Sequence, residues 1–215
     1  MIIHEGYENL NLEHPFVTVG VFDGVHLGHR ALLDHLSSSA EKAGGESVVI
    51  TFDPHPRLVL SGKTEGLYFL STLDEKKKLL AESGIDHIII MNFTMGMGNM
   101  EAADFIREIL VKKIGVKHLI VGYDNHFGKG KGGGFKKICE CAELYDFEVE
   151  QVDGVYAPEG IISSTAIRDA LLNGRIEDAN RWLGYNYAIT GKVVEGHKLG
   201  RLLGFPTANI KPADI

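Results

Sequence analysis

Short apolar, β-branched runs alternate along this chain with longer stretches whose apolar positions recur at helical spacing. Residues 16–22 predict a strand, and residues 30–42, apolar at Leu32, Leu33 and Leu36, predict the helix that follows. Residues 47–52 predict the next strand. Thr72 and Glu75 have capping-box spacing and open a helix reaching about residue 83. A buried strand is expected at 88–91, a helix at 101–113 with apolar positions 102, 105, 106, 109 and 110, and a strand at 117–122. A helix at 135–145, a strand at 147–152 and helices at 164–173 and 176–183 complete the series. Continuous apolar strands between amphipathic helices imply an α/β fold, a parallel sheet with helices on both faces. Ligands of such sheets bind beyond the carboxyl ends of the strands. That directs attention to the turns at 22–29, 53–57, 92–98 and 122–131, which are rich in Gly, His, Asp and Lys.

The pattern changes at Gly184. Residues 188–195 read as a strand that opens a β-rich second unit, so the expected division is 1–183 and 184–215. A stretch of about thirty residues is too short for an independent core. The chain is therefore expected to stop inside that unit.

Composition narrows the classes. At 215 residues and 44% hydrophobic content, the chain can bury a core without disulfides or metals. A net charge of −7 argues against a duplex nucleic-acid binder, which carries a basic face. Cys139 and Cys141 lie two apart on an expected helix, so their side chains diverge and free thiols are expected. The N-terminus has no basic and apolar leader pattern, and no apolar run is long enough for a bilayer. The expectation is a soluble cytoplasmic protein with small-molecule partners and neither nucleic acid nor membrane among them.

Candidate chemistry begins in residues 19–29, VGVFDGVHLGH, between a strand and a helix. Gly24 and Gly28 allow close backbone approach, and a helix N-terminus offers free N–H groups and positive dipole to an anion. His26 and His29 are three apart and share a face in a first helical turn. Imidazoles there resist protonation and become neutral N–H donors for a phosphate. A zinc pair or two core histidines are the alternatives. Zinc wants further ligands at suitable spacing, which the nearby sequence lacks.

The second constellation is ISSTAIR, residues 162–168. Ser163, Ser164 and Thr165 are good N-cap residues. Arg168 is placed in the first turn, where a cation opposes the macrodipole, and a bound anion relieves that conflict. A surface Arg168 paired with Asp169 or Glu159 is the alternative. Lys129, Lys131, Lys136 and Lys137 make a local basic cluster after the strand at 117–122, suited to phosphates or to simple solvation. Asp124 in the same loop suits a ribose, a base or a turn. TFDPHP, residues 51–56, is a turn stiffened by two prolines. Leu58, Leu60, Leu67, Tyr68, Phe69, Met95, Met97 and Met100 near these turns line an apolar slot or belong to the core.

VGVFDGVHLGH, TFDPHP, GYDNHFGKGKGG and ISSTAIR, in that order, resemble the motifs of the bacterial bifunctional riboflavin kinase/FAD synthetases. EGHKLGRLLGFPTANI, residues 195–210, resembles the start of their riboflavin kinase domain. The resemblance covers nearly the whole chain. It implies a Rossmann-like HxGH nucleotidyltransferase that converts FMN and ATP to FAD and pyrophosphate with Mg2+. It also implies that His26 and His29 stabilise the transferring phosphate, and that Ser164, Thr165 and Arg168 bind the triphosphate. Gly20, Phe22, Gly24 and Lys129 join the ATP-binding set, and Asp124 lies near the adenosine. Asp53, His55 and Pro56 lie near the flavin phosphate. Asn125 departs from the Phe that many members carry. Thr207 and Asn209 match the kinase-domain motif for Mg2+ and ATP, but the rest of that domain does not follow, so no kinase activity is expected. The rival readings are another HxGH adenylyl- or cytidylyltransferase and a non-catalytic flavin- or nucleotide-binding module. A class I tRNA synthetase would need a KMSKS-like loop and a longer chain.

Overall fold

Alternate residues of the central strands enter two different cores, which fixes the layered architecture. The computed structural model describes residues 1–8, 10–62, 66–123, 128, 134–197 and 199–212. Strands β1 (Ile2–Glu5), β2 (Pro15–Val19), β3 (Glu46–Asp53), β4 (His87–Asn92), β5 (His118–Gly122) and β6 (Glu148–Val152) form one sheet in the order β1-β4-β3-β2-β5-β6. Every pairing in it is parallel. Val17, Val48, Ile50, Ile89 and Leu119 face one layer, with helix α5 (Ala102–Phe105), its continuation over Ile106–Ile114, and helix α6 (Phe135–Tyr145). Phe16, Val49, Ile88, Ile90 and Ile120 face the other, with α1 (Leu27–Ala43) and α3 (Leu73–Ala81). A side-chain period of two produces this sorting.

Helix α3 starts where expected: Thr72 Oγ1 accepts from the Glu75 N–H, and the Glu75 carboxylate accepts from the Thr72 N–H at 2.8 Å. Helices α6 and α8 (Ile176–Leu183) occupy the expected ranges. The expected helix at 101–113 is α-helical only over Ala102–Phe105 and is a π-helix over Ile106–Ile114. Its buried positions, Ala102, Phe105, Ile106, Ile109, Leu110 and Ile114, include every apolar position the sequence marks, so the same face turns inward while the hydrogen bonding differs. The first predicted strand stops at Val19, and the chain then leaves the sheet.

Strand β1 is not signalled by the sequence pattern. It is an edge strand with mostly exposed residues, held by its pairing to β4. Short elements also escape periodicity: α2 (Pro56–Ser61), α4 (Met95–Gly98) and the hairpin β7 (Tyr156–Ala157) with β8 (Gly160–Ile161). Helices α7 (Ser164–Leu172) and α8 pack through Ile167, Ala170, Trp182 and Leu183 onto Leu70 and Ile162. Beyond them, β9 (Gly191–Val194) pairs antiparallel with β10 (Asn209–Pro212), with α9 (Leu199–Leu202) between. The hairpin is exposed throughout.

The cysteines are free, Cys141 buried and Cys139 less so. No helix among the described residues is long and apolar enough to cross a membrane.

Candidate active site

From β2 the chain order runs one way through β3 and β4, and the other way through β5 and β6, so the order reverses between β2 and β5. Such a reversal leaves a crevice at the carboxyl ends of the strands. A cavity of about 310 Å3 opens there, lined by residues of the 19–29 and 162–168 segments, His55, Arg57 and the ends of β5 and β6.

The 20–29 loop has an unusual backbone. Phe22 and Val25 have positive φ, 52° and 37°, as does Gly24 at 77°. Left-handed backbone is costly for a β-branched residue and persists only where the surroundings over-determine it. They do so here. Val21 O accepts from Thr51 Oγ1 at 3.1 Å and Val25 O from Arg30 Nε at 3.4 Å. Gly24 N–H donates to Ser71 Oγ at 3.0 Å, and Gly24 O accepts from the Tyr185 hydroxyl at 2.6 Å. Asp23 O accepts from Ser164 Oγ at 3.0 Å. A side chain on Gly24 would also meet Leu70 at 2.9 Å.

This clamped loop delivers His26 as the N-cap of α1. Its Nδ1 accepts from the His29 N–H at 3.3 Å, and the two rings stack with centroids 3.7 Å apart. Burial, then the nearby Arg168 cation, takes the His26 pKa down to about 4. Burial first, then His26 and Lys76, hold His29 well below the ordinary histidine range. Both rings are neutral at pH 7, as the sequence suggested, with desolvation the leading cause. Because Nδ1 of neutral His26 is an acceptor, Nε2 carries the proton and is a donor. His29 Nδ1 is buried and has no hydrogen-bond partner. Gly28 lets this turn close, since a Cβ would sit 3.2 Å from the His26 ring and 3.3 Å from Ile162 O.

The 162–168 element differs from its sequence reading. Ser163 is the N-cap, accepting from Ala166 N–H at 3.2 Å. Arg168 therefore lies beyond the first turn of α7, and its guanidinium is paired. Arg168 Nη1 meets Asp23 Oδ2 at 2.6 Å, with both side chains largely buried. Neither alternative partner, Asp169 or Glu159, takes this contact; Glu159 pairs with Arg181. Arg168 Nη2 also donates to Thr165 Oγ1 at 3.3 Å. Asp23 Oδ1 accepts from the N–H groups of Leu70 and Ser71 at 2.8 and 3.2 Å. Burial pushes the Asp23 carboxyl upward against the pull of the Leu70 N–H and Arg168. The first two N–H groups of α7, on Ser164 and Thr165, have no intrahelical acceptor. The start of α1 faces the same cavity, so two helix N-termini converge on it.

Two cavities divide the remaining candidates. His26, His29, Ser164, Thr165, Arg168, Gly20 and Phe22 line the first. Gly24 lines neither and acts through the backbone of the loop. The second cavity, about 250 Å3, adjoins the first through Val19, Gly20 and Val21 and is walled by Phe52, Pro56, Leu60, Phe93, Met97 and Phe105. Leu60 and Met97 thus do line an apolar slot. Phe69 is buried against the His55 ring, Met100 packs on the core, and Tyr68 and Met95 are exposed. Of the expected acceptor turn, His55 faces the first cavity, Pro56 the second and Asp53 neither. His55 caps α2, and burial followed by Lys76 takes its pKa down to about 4. Thr207 and Asn209 line neither cavity. Asp124, Asn125, Lys129 and Lys131 lie outside the described residues.

Among the described residues, no group of three His, Cys, Asp or Glu is arranged to hold a metal ion. Of the two carboxylates that line the first cavity, Asp23 already has both oxygens engaged, and Asp153 lies just past the end of β6.

Sequence reasoning missed Asp23, Arg57, Lys76 and Tyr185. Asp23 was visible as an acid inside an anion-binding motif, and Arg57 as the cation following TFDPHP. Lys76 was legible too: it shares a helical face with Leu73 and Leu80, which marks a charge turned inward. Tyr185 carried no local signal, because its partner Gly24 is distant in sequence.

Known proteins resemble this chain over nearly its whole length. A family model described as FAD synthetase matches residues 9–166, and one described as riboflavin kinase matches residues 183–215. A bifunctional riboflavin kinase/FMN adenylyltransferase of Listeria monocytogenes is 38% identical over 95% of this chain and 68% of its own. That of Escherichia coli K12 is 40% identical over 98% of this chain and 68% of its own. A solved Streptococcus pneumoniae structure, described as a macrolide-efflux protein, superposes with a TM-score of 0.81 at 29% identity, over 99% of this chain and 69% of that one. Pantothenate synthetase from Thermus thermophilus shares the fold, with a TM-score of 0.51 at 15% identity over 86% of this chain and 81% of that one. The chain belongs to the FAD synthetase family, is akin over nearly its whole length to the bifunctional riboflavin kinase/FMN adenylyltransferases, and is a nucleotidyltransferase.

Proposed function

We propose that this chain transfers AMP from ATP to the phosphate of FMN, giving FAD and pyrophosphate. The observation that carries the reading is the convergence of two helix N-termini, two neutral histidines and Arg168 on one cavity, with an apolar cavity adjoining it. The first cavity takes the ATP phosphates, and the apolar one takes the flavin ring. The acceptor phosphate then lies near the turn of Asp53, His55 and Pro56. Asp124 is assigned to the adenosine and Lys129 to the departing pyrophosphate.

An FMN phosphate oxygen attacks the α-phosphorus of ATP in line. The new P–O bond forms as the bond from that phosphorus to the α,β-bridging oxygen breaks, and pyrophosphate leaves with the electron pair. No covalent enzyme intermediate is needed, since positioning and charge stabilisation carry phosphoryl-type transfer. His26 Nε2–H, His29 and the first N–H groups of α1 stabilise charge on the α-phosphate oxygens. Ser164, Thr165 and Arg168 hold the β- and γ-phosphates at the start of α7. Arg168 arrives already oriented by Asp23, which lowers the ordering cost on binding. Mg2+ would be held chiefly by the triphosphate, since its usual ligands are substrate phosphates with one or two carboxylates, and would offset phosphate charge there.

Residues 1–183 make up the adenylyltransferase unit and 184–215 belong to the kinase unit in this reading. Among the described residues the β9–β10 hairpin buries no side chain, and these 215 residues alone are not expected to phosphorylate riboflavin. Incubation with FMN, ATP and Mg2+ should give FAD and pyrophosphate, resolved by chromatography. Folded protein that makes no FAD refutes the assignment. His29→Ala should lower kcat by about 100- to 1,000-fold with its circular dichroism unchanged, the usual cost of losing one charge-stabilising donor.

A further inference from the structure

We propose that Lys76 is a positioning residue that ties the donor-phosphate loop at 20–29 to the acceptor turn at 53–56. This rests on the adenylyl-transfer reading given above. Among the described residues Lys76 is the one buried lysine, 5% exposed, on the sheet-facing side of α3. Its Nζ donates to Thr51 Oγ1 and to Phe52 O, each at 3.4 Å. The Thr51 hydroxyl passes the connection on, donating to Val21 O at 3.1 Å. Thr51 and Phe52 immediately precede Asp53, and Val21 immediately precedes the left-handed Phe22. One ammonium therefore grips the last residues of β3 and, through a single hydroxyl, the loop that leaves β2.

Electrostatics supports the same placement. The carboxylates of Asp23 and Asp53 both act on Lys76, and Lys76 acts in turn on His29 and His55. Its charge thus sits among groups of both motif turns. Packing alone does not call for a lysine here. Leu73 and Leu80 fill the same helical face, and a third apolar residue would avoid the desolvation of an ammonium. In-line transfer requires the two phosphates to meet within a few tenths of an ångström of the reactive geometry, so a fixed spacing between the turns that carry them bears on rate. Lys76 lines neither cavity and is not assigned contact with substrate.

The test uses the full chain with Lys76→Met, which keeps the apolar stem, Thr51→Val, which removes the linking hydroxyl, and the double variant. Lys76→Met should lower kcat by roughly 10- to 100-fold while KM for ATP moves less than about threefold, the signature of misplaced rather than unbound substrates. Thr51→Val should lower kcat in the same direction. The double variant should be no slower than Lys76→Met, because both break one chain of contacts. Lys76→Arg should recover part of the loss. Wild-type kcat in Lys76→Met, or multiplicative losses in the double variant, overturns the tie. Should the wild type itself make no FAD, the assigned reaction falls, and hydrogen exchange judges the tie separately. Faster deuterium uptake in peptides covering both 20–26 and 53–57 of Lys76→Met supports it, and unchanged uptake in either overturns it.

Discussion

At the scale of single residues, the site is organised around a loop that the backbone disfavours. Positive φ at Phe22 and Val25 is stable only because Asp23 and Gly24 are held by groups from α3's approach, α7 and Tyr185. What the loop achieves is His26: a neutral histidine that caps a helix with one nitrogen and donates with the other. Its depressed pKa has a consequence for stability. Between about pH 4 and 6.5 the unfolded chain binds a proton at this site that the folded chain does not, so stability rises with pH across that window. It is fully present above the unfolded value and is lost as pH falls toward 4. His55 has the same sign and a similar range. His26→Asn keeps an acceptor for the His29 N–H but removes one titration. The variant should therefore lose less stability than wild type between pH 7 and pH 5, measured as the shift in urea midpoint. An equal loss in both proteins would show that His26 is not held neutral.

At the scale of elements, what was legible followed from periodicity and caps. The continuous apolar runs of β2, β3 and β4, the helical spacing in α1 and the capping box of α3 pointed to the layers, because a parallel sheet buries both faces of its strands. Three of the four motif turns were legible for the same reason, since each begins where a parallel strand ends, whereas residues 162–168 follow the antiparallel β7–β8 hairpin. Elements without a burial pattern were not. Strand β1 is an exposed edge, α2 and α4 have only six and four residues, and the π-helical stretch keeps the same apolar residues while changing its hydrogen bonds. Arg168 shows a second limit. Its position in the helix depends on which of Ser163, Ser164 and Thr165 takes the cap, and its partner Asp23 is distant in sequence. Caps can be checked one at a time. Thr72→Ala removes the hydroxyl that accepts from the Glu75 N–H, leaving the backbone half of the α3 capping box, and should cost about 1 kcal/mol, seen as a lower urea midpoint at unchanged slope. No change in midpoint would mean that α3 is held by its packing and by Lys76 without its cap.

At the scale of the whole molecule, the two family-model matches do not separate cleanly in space. Tyr185 falls within the stretch matched as riboflavin kinase, yet its hydroxyl donates to the carbonyl of Gly24 in the HxGH loop, and Arg30 of α1 lies over its ring at 5.7 Å. Thr190 in the same stretch donates to the capping-box carboxylate of Glu75 at 2.5 Å. The segment leading into the hairpin is thereby laced to both the loop and the helix that support the histidines. Leu183 lies against Gly24 and Leu27 against Gly184 at the same junction, so the contact is packed as well as hydrogen-bonded. A neutral hydrogen bond of this kind contributes about 0.5–1.5 kcal/mol. If the Gly24 carbonyl must stay fixed for the loop to hold His26 and His29 against the reacting phosphate, the loss appears in the transition state. Tyr185→Phe, which removes only the hydroxyl, should then lower kcat by about two- to tenfold. Its melting temperature should stay within a few degrees of wild type, since the ring remains in place. Equal kcat in the two proteins would show that the segment merely rests on the loop, and that the adenylyltransferase site is complete without it.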